Sequence, residues 1–118
     1  MILEYSNANR LLMAEFPELK EIYCNNIDEY SDLPYAFYES EFVPFIMDQL
    51  RQNCLSNLNK VFSFIEKLFI EGDEMIVNLI GVAVVESLYF ENDYNKYKNM
   101  IFNLCGEKTR KSFSECTS

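Results

Sequence analysis

The chain of 118 residues predicts an all-α fold, either a compact helical bundle or a short HEAT-like solenoid of about five to seven helices. Three observations carry that expectation. Apolar residues recur at spacings of three and four along most of the chain, and no segment alternates with period two for long enough to make a strand. With only three Gly and three Pro, the chain suits long elements joined by short connections. The stretch from Gly72 to Leu88, GDEMIVNLIGVAVVESL, is apolar on nearly every side, as expected of a helix buried at the centre of a small core.

In order, Ser6 caps a first helix that stops at Phe16, because Pro17 pushes the residue before it out of helical angles. Pro17 then opens a second helix. Leu19, Ile22, Tyr23 and Ile27 form its apolar stripe, and it runs to about Tyr30. Ser31, Asp32 and Pro34 break the pattern and leave a connection rich in aromatics (Tyr35, Phe37, Tyr38). A third helix is expected from Glu39 or Ser40 to Leu50, with Pro44 in its opening turn. After a polar link over residues 53–57, Leu58, Val61, Phe62, Ile65, Leu68 and Phe69 mark a fourth helix, the clearest amphipathic pattern in the chain.

Gly72 ends that helix and Asp73 caps the next, so residues 58–88 should form a central antiparallel hairpin. Within the fifth helix, Val82 is expected to be buried and Gly81 to mark a close approach of a neighbouring helix. Asn92 or Asp93 caps a sixth helix from Tyr94 to Leu104, which Gly106 ends, and a seventh covers Thr109 to about Glu115. All of this fits a single domain over residues 1–118.

Composition limits the chemistry. The four cysteines, Cys24, Cys54, Cys105 and Cys116, form no CxxC pair, and there is no histidine, so no zinc site, cofactor or catalytic role is expected. Cys24 and Cys105 read as small buried hydrophobes within helices, while Cys54 and Cys116 fall in or near loops. Carboxylate pairs such as Glu18 with Glu21, or Glu71 with Asp73 and Glu74, read as helix-start charges rather than a cation cage. The first ten residues lack a basic start and a continuous apolar run, and no 18 uncharged apolar residues occur together, so cytoplasmic residence is expected.

Charge is distributed unevenly. Residues 1–50 carry ten acids and two bases, residues 51–95 seven and three, and residues 96–118 two and five, within a total net charge of −9. Such a surface repels nucleic acid and anionic membrane and speeds encounter with a basic protein. The acidity is densest beside the aromatics of residues 27–45. Six aromatics there accompany Asp28, Glu29, Asp32, Glu39 and Glu41 without a single base. Two readings stand: an interface in which Tyr30, Tyr35 and Tyr38 are anchors and the five carboxylates meet a partner's Lys and Arg, or rings tucked onto the core beneath solvated acids.

Four stretches taken together, ANRLLMAEFPELKE (Ala8 to Glu21), EFVPFIMDQL (Glu41 to Leu50), GDEMIVNLIGVAVVESL (Gly72 to Leu88) and GEKTRKSF (Gly106 to Phe113), carry a further reading. Their order and spacing resemble small bacterial all-α immunity proteins of polymorphic toxin and contact-dependent growth inhibition systems. That resemblance implies a monomer that binds a cognate toxin domain, often a basic nuclease, as a heterodimer and occludes its active site, with no catalysis of its own. The alternative is a helical scaffold or adaptor that binds a protein through a solenoid face.

Overall fold

A computed structural model describes residues 2–116, all of them helix, turn or connection apart from one isolated bridge between Leu3 and Gly72. Eight helices form among the described residues: α1 (Ala8–Glu15), α2 (Lys20–Asn25), α3 (Ile27–Tyr30), α4 (34–51), α5 (Leu55–Glu71), α6 (74–89), α7 (Tyr94–Leu104) and α8 (Glu107–Glu115). Short 3₁₀ turns, Tyr5–Asn7 and Pro17–Leu19, lead into α1 and α2. The radius of gyration is 13.4 Å. A compact chain of this length should give about 13.5 Å, so the helices close into a bundle around one core.

The segment expected to run as one helix from Pro17 to Tyr30 is divided at Asn26. Its side-chain amide turns back to donate to the Ile22 carbonyl at 2.9 Å, which closes α2 before α3 begins. The expected connection at residues 34–38 is instead helical. Pro34 occupies the first turn of α4, where its missing N–H costs nothing, so a residue that reads as a breaker is a starter here.

Pro44 lies well inside α4 rather than in an opening turn. Immediately before it, Tyr38–Phe42 are π-helical, and the Val43 N–H donates to the Tyr38 carbonyl five residues back. The wider turn accommodates the proline ring that a regular helix would reject. A second π-helical segment, Ile80–Glu86, lies within α6, and the two segments pack against each other.

The α5–α6 pair is central. α5 packs against α4, α6, α7 and α8, and α6 packs against α4, α5 and α8. Gly72 joins them, and only glycine fits, since a Cβ there would lie 2.4 Å from the Leu68 carbonyl oxygen. Asp73 caps α6 by accepting the Ile76 N–H at 2.8 Å and also takes the Tyr5 N–H at 3.0 Å. Together with the Leu3 N–H to the Glu71 carbonyl (2.7 Å), this ties the N-terminal segment to the α5–α6 turn.

Three sequence expectations about individual residues are corrected. Val82 is 42% exposed, because α6 keeps one face open along its length, with Met75, Val77 and Glu86 also exposed. Gly81 marks no tight contact: a Cβ there would meet only Ser112 Oγ, at 4.0 Å, and has room. Cys24 is exposed on α2, whereas Cys105 is buried as expected.

Candidate functional site

The acidic-aromatic segment separates into a core part and a surface part. Tyr38 is completely buried, and its hydroxyl donates to the Ala8 carbonyl at 2.5 Å. It belongs to a continuous aromatic stack: Phe37 meets Tyr23 and Tyr30 (centroids 4.9 and 5.2 Å), and Phe42 meets Tyr38, Phe16 and Phe64 (5.8, 5.5 and 6.0 Å). Tyr38 is therefore a core residue and cannot anchor a partner without unfolding α4.

Tyr30 is buried as well. Its hydroxyl donates to the Glu41 carboxylate, linking α3 to α4. Burial first, then that hydrogen bond and the charges of Glu41 and Glu29, push the Tyr30 hydroxyl up to about 12. Tyr35 is half-buried, its hydroxyl accepting from Asn78 Nδ2 on α6. Of the two readings the sequence left open, rings tucked onto the core holds for Phe37, Tyr38 and Phe42, which follow the spacing of a buried helix stripe once π-helical winding is allowed.

The carboxylates remain on the surface. Asp28, Glu29 and Asp32 are exposed on α3 and the turn after it, and Glu41 adjoins them through Tyr30. Glu39 is exposed too but faces elsewhere. It lines a groove between α4 and the end of α6 together with Pro44, Val82, Glu86, Phe90 and Glu91. The eight predicted residues therefore form no single patch.

The groove around Glu39 was not visible from the sequence. Phe90 is 72% exposed and Val82 42% exposed, and Glu39, Glu86 and Glu91 surround them. The ion pairs among the described residues are both made by Arg51, to Asp48 (3.3 Å) and Asp93 (3.4 Å), so none of these three acids is neutralised by a base. The detectable signal was the apolar circumference of α6: a helix apolar all round that nevertheless has a solvent face must expose apolar side chains there.

Val82 and Phe90 form a ridge with a different groove on its far side. That groove, about 670 Å³, runs between α6 and α8, with Phe69 on α5, Val77 and Glu86 on α6, and Lys108, Lys111 and Glu115 on α8. The position of α8 is fixed by Glu66 on α5. Its carboxylate accepts from the Lys108 N–H (3.1 Å), the Thr109 N–H (2.9 Å) and the Thr109 hydroxyl (2.8 Å).

No group of three or more Cys, Asp or Glu among the described residues is arranged to hold a metal ion. No helix among them is long and apolar enough to cross a membrane. The arrangement offers uneven charge and exposed apolar area on the α6 face.

The chain belongs to the family DUF7674, described as a domain of unknown function, whose profile matches residues 9–118. No curated protein and no solved structure matches it.

Proposed function

We propose that this member of the DUF7674 family is a binding protein of the immunity type, which holds a basic toxin domain, such as a nuclease, and blocks it without catalysing a reaction. The observation that carries this reading is the exposed Val82–Phe90 ridge, with the carboxylate of Glu86 between its two apolar residues and those of Glu39 and Glu91 along one side, none of them in an ion pair among the described residues. Exposed apolar side chains give up water when a partner covers them, and aromatic residues contribute the largest share of such binding energy. Unpaired carboxylates around them select a partner rich in Lys and Arg and speed its approach. The exposed acids Asp28, Glu29 and Asp32 extend the same negative field. Binding takes place in the cytoplasm, by one copy of the chain per toxin domain.

The test is co-expression with the toxin domain encoded beside this gene. Cells should survive with the native protein and arrest when Glu39, Glu86 and Glu91 are together reversed to Lys in a protein that still folds. Arrest despite the native protein removes the immunity reading. A second reading, an adaptor for a peptide, is favoured by the groove lined by Phe69, Val77, Lys108 and Lys111 together with Glu86 and Glu115. It gains ground if a Lys108→Glu, Lys111→Glu variant loses its cellular partner while the triple reversal keeps it.

A further inference from the structure

We propose that the groove between α1 and the turn after α3 binds a free α-amino acid with an apolar side chain, gripping its ammonium and carboxylate separately. The groove has a volume of about 370 Å³, and Tyr5, Asn9, Arg10, Met13, Tyr23 and Asp32 are among its lining residues. It lies apart from the Val82–Phe90 ridge and concerns a different ligand.

Three observations converge on it. Asn9 is only 8% exposed, and its Nδ2 donates to the Tyr30 carbonyl at 2.9 Å, which fixes the direction of the amide. Its Oδ1 is left buried without a hydrogen-bond donor. This oxygen lies beneath the groove surface, and a buried acceptor left without a donor is costly, so a ligand whose N–H displaces the wall to reach it is favoured.

The second observation is a pair of opposite charges that do not meet. Arg10 is one of two bases in the first fifty residues, and it lines the groove together with Asp32. Yet neither has a hydrogen-bond or ion-pair partner among the described residues, and they do not pair with each other. A simple cation would be opposed by Arg10 and a simple anion by Asp32. A zwitterion satisfies both, with its ammonium toward Asp32 and Asn9 Oδ1 and its carboxylate toward Arg10.

Third, the remaining wall, Ser6 apart, is made of Met13, Pro34 and the rings of Tyr5 and Tyr23, and the rings are held in place. Tyr23 lies against Phe37 (4.9 Å between centroids) and Tyr5 against Tyr35 (6.3 Å), so the rings beside Met13 have little freedom to lose when a ligand packs on them. That wall suits an aliphatic or aromatic side chain. The volume lies near the lower end of about 300–1,000 Å³ for small-molecule sites, which favours a single amino acid over a peptide.

The experiment is a titration of the ¹⁵N-labelled full chain, followed by amide shifts, with L-leucine, L-methionine and L-phenylalanine at millimolar concentration. Saturable shifts are expected at Asn9, Arg10 and Asp32. The affinity should fall about tenfold or more in Arg10→Ala and in Asp32→Asn, both exposed positions whose replacement leaves the core intact. N-acetyl-L-leucine, lacking the ammonium, and L-leucinamide, lacking the carboxylate, should bind more weakly by a similar factor. Absence of shifts with all three amino acids overturns the proposal. So does binding that survives both variants or tolerates both blocked analogues. Neither result bears on the toxin-binding reading, which the triple reversal at Glu39, Glu86 and Glu91 tests.

Discussion

Glu66 on α5 and Thr109 on α8 are joined twice, the Glu66 carboxylate accepting both the Thr109 N–H (2.9 Å) and the Thr109 hydroxyl (2.8 Å). The contact is possible because residue 106 has no side chain: a Cβ on Gly106 would lie 2.4 Å from Glu66 Cδ. Here a carboxylate borrowed from another helix does the work of an N-cap, for Gly106 itself has none to offer. Glu66→Ala should lower stability by about 1–2 kcal/mol, less than a fully buried charged hydrogen bond because Glu66 is partly exposed. Gly106→Ala should cost a similar amount by displacing the same carboxylate. The double variant should then cost little more than either alone, and urea unfolding of the three proteins checks this coupling. Additive losses would mean that Gly106 acts independently of Glu66.

Acid should weaken the fold through two carboxylates. Burial raises the pKa of Glu66, but the hydrogen bonds from Thr109 and Lys108 and the charge of Lys108 outweigh it and hold it below its ordinary 4.5. Asp73 lies below its ordinary 3.8, chiefly through the Tyr5 and Ile76 N–H groups. Depressed folded values mean that the unfolded chain binds protons first, so this stability is complete above pH about 4.5 and is lost as pH falls further. Urea midpoints should therefore be level from neutral pH to about 5 and decline below, and the decline should be shallower in Glu66→Gln.

At alkaline pH the sign reverses. Burial pushes the Cys105 thiol up to about 12, from an ordinary 9.0. Tyr30 is likewise raised to about 12 from 10.0, by burial and then by Glu41. Both groups stay neutral in the fold and ionise more readily when unfolded, so their contribution is intact below pH about 9 and is lost as pH climbs through their folded values. The same burial separates the thiols chemically. Exposed Cys24 should react with iodoacetamide well before Cys105, and mass mapping of partly labelled protein reads the order directly.

How much of this was legible in the sequence depended on what each residue's neighbours left undetermined. Pro17 at a helix start, Asp73 as a cap, Gly72 as a stop and the Leu58–Phe69 stripe follow from local rules, and the structure places all of them as those rules require. Pro34 and Pro44 misled because the same residue ends a regular helix or sits within an irregular one. Pro34 opens α4, and Pro44 follows the π-helical turn of Tyr38–Phe42, which packs against Ile80–Glu86, a pairing of distant segments that no local rule shows. The acids of residues 28–41 were recognisable as surface residues, but their tyrosines were not recognisable as core. Composition shows that a tyrosine is amphipathic; only the fold shows whether its hydroxyl meets Ala8, Glu41 or water.

The open face of α6 changes what a charge would do there. Val82→Asp places the carboxylate in solvent at a 42% exposed position and should alter stability by no more than about 1 kcal/mol. Val84→Asp, fully buried two residues on, should prevent folding or cost more than about 4 kcal/mol, because an unpaired charge there has nothing to compensate it. Thermal melts of the two variants make the comparison. Equal and severe losses would place Val82 in the core after all.

Phe90 gives the most direct test of the binding surface. At 72% exposure it contributes little to folding, so Phe90→Ala should leave the melting temperature nearly unchanged. If the toxin domain covers the Val82–Phe90 ridge, the same change should cost about 2 kcal/mol of binding, expressed mainly as faster dissociation. Reversing Glu39, Glu86 and Glu91 should act on the other rate. The carboxylates draw a basic partner from a distance, so their loss should slow association and flatten its dependence on salt. Surface plasmon resonance at two ionic strengths separates these effects. A Phe90→Ala protein that binds and dissociates as the native protein does would move the interface away from the ridge, and reversal of Asp28, Glu29 and Asp32 would then show whether the α3 acids hold the partner instead.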